Sequence, residues 1–505
     1  MRKKKPQVVL HDITMENLAA EGKSLAHVDG KVLFVPFAIP GDILDIKVVR
    51  KKSSYMEGRI EKIIKPSPDR IKPFCEHFEL CGGCKWQSLP YELQIKHKQQ
   101  QVEDQLNRIG HLKLPEISPI LGSDRTTGYR NKLEYTFSDR KWIMDGEDPD
   151  DFFSGRTELD PNDFKDGVFP RHLRKGYSMV NHNPKGFGLG FHLGGHFDKV
   201  LDINKCYLQD EPSNEIRLFV KAYSIEHGLS FFNLREQVGV MRNLIIRNNV
   251  KGDVMLTLVV TSLGEKDENT GNEKVIDLLN ALLAKFPQIK SLHYVINTKA
   301  NDNISDLDVV NFAGDDAIYE EMEDLRFKIG PKSFYQTNSL QAYKLYSVVR
   351  DFADLKGDER IYDLYTGTGT IALFLSKNAR NVIGIEYVQE AINDANVNAK
   401  NNNIENCDFF AGDMKDILTE DFISEHGGTP DLIVLDPPRA GIHPDVAKVI
   451  LKAAPAKMVY VSCNPATQAR DLEVFSEEYD ILAVQPVDMF PHTHHVENVV
   501  SLRRK

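Results

Sequence analysis

Apolar residues near the start of the chain recur at short, strand-like spacing, whereas near its end apolar runs alternate with helix-like stretches. Residues 8–10, 31–35, 42–49 and 56–64 read as short strands, punctuated by turns at Asp29-Gly30 and Pro40-Gly41. Sixty residues of this kind predict a small closed barrel. Residues 85–325 are mixed, with strands predicted over 244–247, 254–260 and 291–296, and a helix over 273–286 whose apolar positions recur at three and four. From about 333 onward, strands at 360–365, 381–386, 408–411, 431–436 and 458–462 alternate with helices at 371–377, 389–402, 443–454 and 466–475. Such alternation predicts an α/β fold, a parallel sheet with helices on both faces. The resulting division is 1–68, 69–325 and 326–505.

Charge refines this picture. The 505 residues carry a formal net charge of −11, against a protein that coats itself in nucleic acid, yet residues 1–66 hold 13 Lys/Arg and 8 Asp/Glu. A local basic module can supply phosphate contacts on an acidic chain, although a basic run is as often a solvated face. Residues 141–170 hold 9 Asp/Glu and 3 Lys/Arg and read as an acidic surface excursion near 141–180, to which no chemistry is assigned. No run approaches the roughly 18 apolar residues of a membrane span, and no secretory-type block follows Met1-Arg-Lys-Lys-Lys5, so a cytoplasmic protein without a membrane partner is expected. Six cysteines in so long a chain are no disulfide scaffold.

Two cysteine features remain. Ser462-Cys463-Asn464-Pro465 ends an apolar strand and begins a helix, where open α/β sheets hold their chemistry. Position alone leaves a nucleophile and a packing thiol equally open. Cys75, Cys81 and Cys84 lie close together with Gly82-Gly83 between them, and Cys206 is the natural fourth ligand. By count, four thiolates fit structural zinc and [4Fe–4S] equally well.

Asp363-Leu-Tyr-Thr-Gly-Thr-Gly-Thr370 follows the first strand of the C-terminal segment and opens a helix, so backbone and helix N-terminus can approach a ligand. Glu386 ends the second strand, where a carboxylate can accept both ribose hydroxyls. Asp413 ends the third strand region, placed to meet an adenine edge, and Asp436 ends the fourth before Pro437-Pro438-Arg439. This order resembles the class I S-adenosylmethionine-dependent methyltransferases, of Rossmann-like fold. A methyl donor beside a strand-end thiol points to a carbon that needs covalent activation. C5 of uracil is such a carbon, since a thiolate adding at C6 makes C5 nucleophilic. Glu497 is the candidate base for the C5 proton.

Asp436-Pro-Pro-Arg-Ala-Gly441, Val461-Ser-Cys-Asn-Pro-Ala-Thr467 and Asp488-Met-Phe-Pro-His-Thr493 through Glu497 resemble the RNA uracil-5-methyltransferase family, most closely its bacterial 23S rRNA members with an iron–sulfur cluster. Residues 22–42 resemble the TRAM domain, an oligonucleotide-binding (OB)-type barrel. The resemblance implies Cys463 as nucleophile, Glu497 as proton acceptor, and Gln336, Tyr365, Glu386 and Asp436 as S-adenosylmethionine contacts. It also favours [4Fe–4S] over zinc at Cys75, Cys81, Cys84 and Cys206. Family members often carry Asn where this chain has Thr370, so no cofactor contact is expected there. Arg130, in Tyr129-Arg-Asn-Lys132, and Arg439 read as surface arginines or RNA contacts. The expected partner is RNA, 23S rRNA first and tRNA second, with no obligate protein partner. The alternatives are a tRNA T-loop enzyme and an inactive RNA-binding or ribosome-assembly factor. An amino-group methyltransferase would leave Cys463 idle, and a cytosine-5 enzyme carries its cysteine in another context.

Overall fold

The N-terminal strands do close on themselves. Their six-stranded sheet runs in the order Val9–Thr14, Ile43–Lys51, Tyr55–Lys65, Lys31–Val35, Ser24–Val28, Asn17–Leu18, so its two edges are consecutive in the chain. Met15 joins them: its N–H donates to the Asp42 carbonyl at 2.8 Å and its own carbonyl accepts from Gly41 at 2.8 Å. Leu33, Val35, Leu44 and Ile46 alternate inward to fill the interior. The structure is a computed structural model describing residues 8–142, 186–194 and 196–505. Apart from Lys141 and Trp142, the acidic excursion lies outside the described residues.

The middle of the chain forms an eight-stranded mixed sheet whose central strands, Met241–Asn248 and Val254–Val260, are almost wholly buried. Helix Lys274–Lys285 appears within a residue at each end of its predicted position, burying Val275, Leu278, Leu279 and Leu282. The hairpin of Ile318–Met322 and Leu325–Ile329 packs into the same apolar cluster as the C-terminal sheet. A division between 325 and 326 therefore falls inside that hairpin.

The C-terminal sheet has seven strands in the order Cys407–Ala411, Asn381–Glu386, Arg360–Leu364, Leu432–Leu435, Lys457–Ser462, Glu497–Arg504, Tyr479–Val487. The first five are parallel, and Glu497–Arg504 is antiparallel to both its neighbours. Period-two alternation loads both faces: Ile361, Leu432 and Val434 pack on one cluster, and Tyr362, Leu364, Ile433 and Leu435 on the other. Truncating a buried residue such as Ile433 to Ala would cost about 2–5 kcal/mol. Helix Tyr91–Gly110 joins the second cluster through Val102 and Leu106, although its sequence lies in the middle segment.

Candidate active site

At the C-terminal ends of the parallel strands lies one cavity of about 1080 Å³. Gln336, Tyr365, Glu386, Asp413, Asp436, Cys463 and Glu497 all line it, brought together from seven separate segments.

On one side the Gly-rich turn shapes the wall. Asp363, buried at the end of its strand, accepts from the Thr366 hydroxyl at 2.5 Å and from the Ala372 N–H at 3.1 Å, closing the turn over the helix start. Burial pushes its carboxyl up to about 7. Gly367 (φ 55°) and Gly369 (φ 77°) adopt the left-handed region. A Cβ on Gly369 would sit 3.0 Å from both Ala395 Cβ and Phe409 Cζ, whereas one on Gly367 would meet nothing within 4 Å. Glu386 accepts from the Gly367 N–H at 3.2 Å and the Val388 N–H at 3.0 Å, which fixes the carboxylate while leaving acceptor capacity for a ligand. Asp413 caps the short helix Met414–Ile417 and pairs with Lys415 at 2.5 Å, an ion pair that holds its carboxyl below the usual range.

On the other side stand the thiol and the acid. Ser462 pairs with Asn498 and Val487 with Glu497, so Cys463 and Glu497 follow one another in register at the strand ends. The turn that exposes Cys463 is held locally: Asn464 caps helix Pro465–Phe475 by accepting from Ala466, and its amide donates to the Arg439 carbonyl at 3.1 Å. Burial, then the charges of Glu497 and Asp436, push the Cys463 thiol up to about 11, and Arg439 opposes them. Burial and Asp436 push Glu497 up to about 8, again opposed by Arg439. Asp436 rises to about 7 through burial and Asp363. The cavity thus gathers a thiol and two carboxyls whose charged forms are disfavoured by burial and mutual repulsion, and a cation bound beside them would favour those charged forms.

Residues 302–505 match the family model described as tRNA (Uracil-5-)-methyltransferase, and residues 10–60 match the TRAM domain. An "uncharacterized RNA methyltransferase" of Bacteroides thetaiotaomicron is 54% identical over 485 residues, covering 96% of this chain and 99% of its own. One of Porphyromonas gingivalis is 52% identical over 492 residues, covering 97% and 98%. The chain belongs to the RNA uracil-5-methyltransferase family. Among solved structures, the Pyrococcus abyssi tRNA (uracil-54, C5)-methyltransferase in complex with S-adenosyl-L-homocysteine is similar with a TM-score of 0.69 and 26% identity, covering 98% of this chain and 100% of that one. The N-terminal barrel is a TRAM domain, and the C-terminal sheet is the catalytic domain of an RNA methyltransferase. Among the described residues, no helix is long and apolar enough to cross a membrane.

Sequence reasoning left several cavity residues of this RNA methyltransferase out of its expected site. Arg130 and Arg439 both line the cavity, as does Thr370, where no cofactor contact was expected. Arg439 forms no ion pair among the described residues. Arg130 lies over the Phe490 ring at 5.4 Å. Phe334 and Tyr387 also line the cavity while remaining 66% and 71% exposed, and a large aromatic directly after the strand-end Glu386 was the available signal.

All six cysteines are free thiols. Cys75, Cys84 and Cys206 pack around Phe78 and Leu208, while Cys81 and Cys206 pack around Leu80 and Leu193. Burial pushes all four thiols up, Cys81 to about 11 and Cys84 to about 12, and the other three raise Cys75 further. Among the described residues, however, no group of three or more His, Cys, Asp or Glu is arranged to hold a metal ion. Cys75, Cys81, Cys84 and Cys206, expected as metal ligands, are therefore not arranged as a metal-binding group among the described residues. The cysteine segment touches the active cavity through Gly83.

Proposed function

We propose that this enzyme methylates C5 of a uridine in 23S rRNA through a covalent intermediate. The observation that carries the reading is the register that sets Cys463 beside Glu497 on the cavity wall opposite the Gly-rich turn. S-adenosylmethionine supplies the methyl group as cosubstrate, held by Gln336, Tyr365, Glu386, Asp413 and Asp436. The Cys463 thiolate adds to C6, and the electron pair displaced to C5 takes the methyl. Glu497, as carboxylate, then removes the C5 proton; the C5–C6 double bond re-forms and the C6–S bond breaks, returning Cys463 as thiolate. A cationic sulfonium beside Cys463, Asp436 and Glu497 would draw all three toward their charged forms. Reaching C6 requires an unstacked base, taken from a loop or flipped from its neighbours.

Cys75, Cys81, Cys84 and Cys206 would hold a [4Fe–4S] cluster. Four free thiols in two apolar clusters that share Cys206 suit it as donors, and a cluster spreads its sulfur ligands more widely than one ion does. The cluster's part would be to tie residues 75–84 to Cys206.

A tRNA substrate is the second reading, favoured by the likeness to the Pyrococcus abyssi enzyme along the whole of both chains. Incubation with methyl-tritiated S-adenosylmethionine and unmodified RNA, followed by mass-spectrometric mapping, separates the two. Label in 5-methyluridine of 23S rRNA is expected. Label confined to tRNA establishes the second reading, and no label refutes both.

A further inference from the structure

Resting on the reading of residues 488–497 as the segment that carries the proton acceptor, we propose that Lys98, Asp488 and Tyr91 form a positioning lock for that segment. Lys98 and Asp488 are fully buried, with Nζ 2.6 Å from Oδ1. A buried ion pair is a poor source of net stability, because desolvation offsets the attraction; its best-attested use is to impose one arrangement.

Several bonds of this group reach the backbone of the same loop. Asp488 Oδ1 also accepts from the Phe490 N–H at 3.0 Å, and Lys98 donates to the Phe490 carbonyl at 3.0 Å, so one residue is gripped at both ends of its backbone. Tyr91 donates its hydroxyl to Asp488 Oδ2 at 2.8 Å and accepts from the Ser123 N–H at 2.7 Å. One helical turn from Tyr91, Gln94 accepts from the His492 N–H at 2.8 Å. The His492 carbonyl in turn accepts from the Lys85 and Trp86 N–H groups at 2.7 and 3.1 Å. Tyr91, Gln94 and Lys98 are spaced at i, i+3 and i+7 on helix Tyr91–Gly110, so one helix face holds Asp488, Phe490 and His492. Phe490, Thr493, His495 and Glu497 line the cavity, whereas neither Lys98 nor Asp488 does. The lock therefore acts through the loop.

The double variant Lys98→Met/Asp488→Leu removes both charges and keeps the space filled. Its unfolding midpoint should stay near that of the wild type. Hydrogen exchange at the Phe490 and His492 amides should rise, and kcat should fall about a hundredfold while KM for S-adenosylmethionine holds. Wild-type kcat and amide protection in this variant would overturn the lock. Should the double variant not fold, Tyr91→Phe keeps every charge and is expected to expose the Phe490 amide and lower kcat about tenfold; no change in either refutes the proposal. If the wild type itself transfers no methyl to RNA, the uracil-methylation reading fails, and amide exchange alone decides the lock.

Discussion

Ser462 pairs with Asn498 across the antiparallel strand of the catalytic sheet, and this single register carries Cys463 and Glu497 to the same wall of the cavity. Two motifs 34 residues apart in sequence become neighbours because Glu497–Arg504 inserts between Lys457–Ser462 and Tyr479–Val487. Strand order alone brings the thiol and the carboxyl together.

Glu497 sits where ionisation is costly. Its carboxyl is at about 8 in the folded protein against an ordinary 4.5, so the folded state holds a proton that the unfolded state releases. A raised acid costs nothing below the unfolded value and progressively more as pH climbs toward the folded one. Glu497→Gln is therefore expected to stabilise the protein by about 3 kcal/mol at pH 7. In urea titrations the gain should vanish near pH 4; equal stability at pH 7 contradicts it.

Cys463 should be a slow nucleophile in the free enzyme. With its thiol near 11, alkylation by iodoacetamide, followed on the Cys463 peptide, should speed up about tenfold per pH unit from 7 to 10. Arg439→Met removes the cation that lowers both Cys463 and Glu497 and should slow alkylation at pH 8. Faster alkylation in that variant would show that Arg439 does not assist the thiolate.

The two turn glycines should differ. Gly367→Ala meets open space and pays mainly backbone strain, about 1–2 kcal/mol. Gly369→Ala adds contacts at 3.0 Å to Ala395 and Phe409, so it should weaken S-adenosylhomocysteine binding more in calorimetric titration. The reverse order would contradict this account of the turn.

Protein purified without oxygen should contain iron and sulfide in equal amounts, and Cys206→Ser should lose both. One zinc per chain at full activity would contradict the cluster.

Much of this was legible in the sequence where pattern and burial agree. The apolar run 254–260 is buried from end to end, and the amphipathic stretch 273–286 is the helix Lys274–Lys285. Helix Tyr91–Gly110 was missed because its buried face includes Gln94 and Lys98, polar residues whose partners are 398 and 390 positions away. Periodicity cannot register a buried face built from hydrogen bonds. The acids at strand ends were readable, but their roles were not: Asp413 caps a helix and pairs with Lys415, facts set by neighbours only folding supplies. The four cysteines were readable as a group, whereas their spacing in three dimensions was not.

In the proposed mechanism Cys463 bonds to the base and Glu497 releases it. The most direct measurement is denaturing electrophoresis of Glu497→Gln enzyme incubated with S-adenosylmethionine and unmodified RNA. A methylated protein–RNA adduct is expected, absent from Cys463→Ala/Glu497→Gln. No adduct with Glu497→Gln, together with methyl transfer by Cys463→Ala, would contradict it.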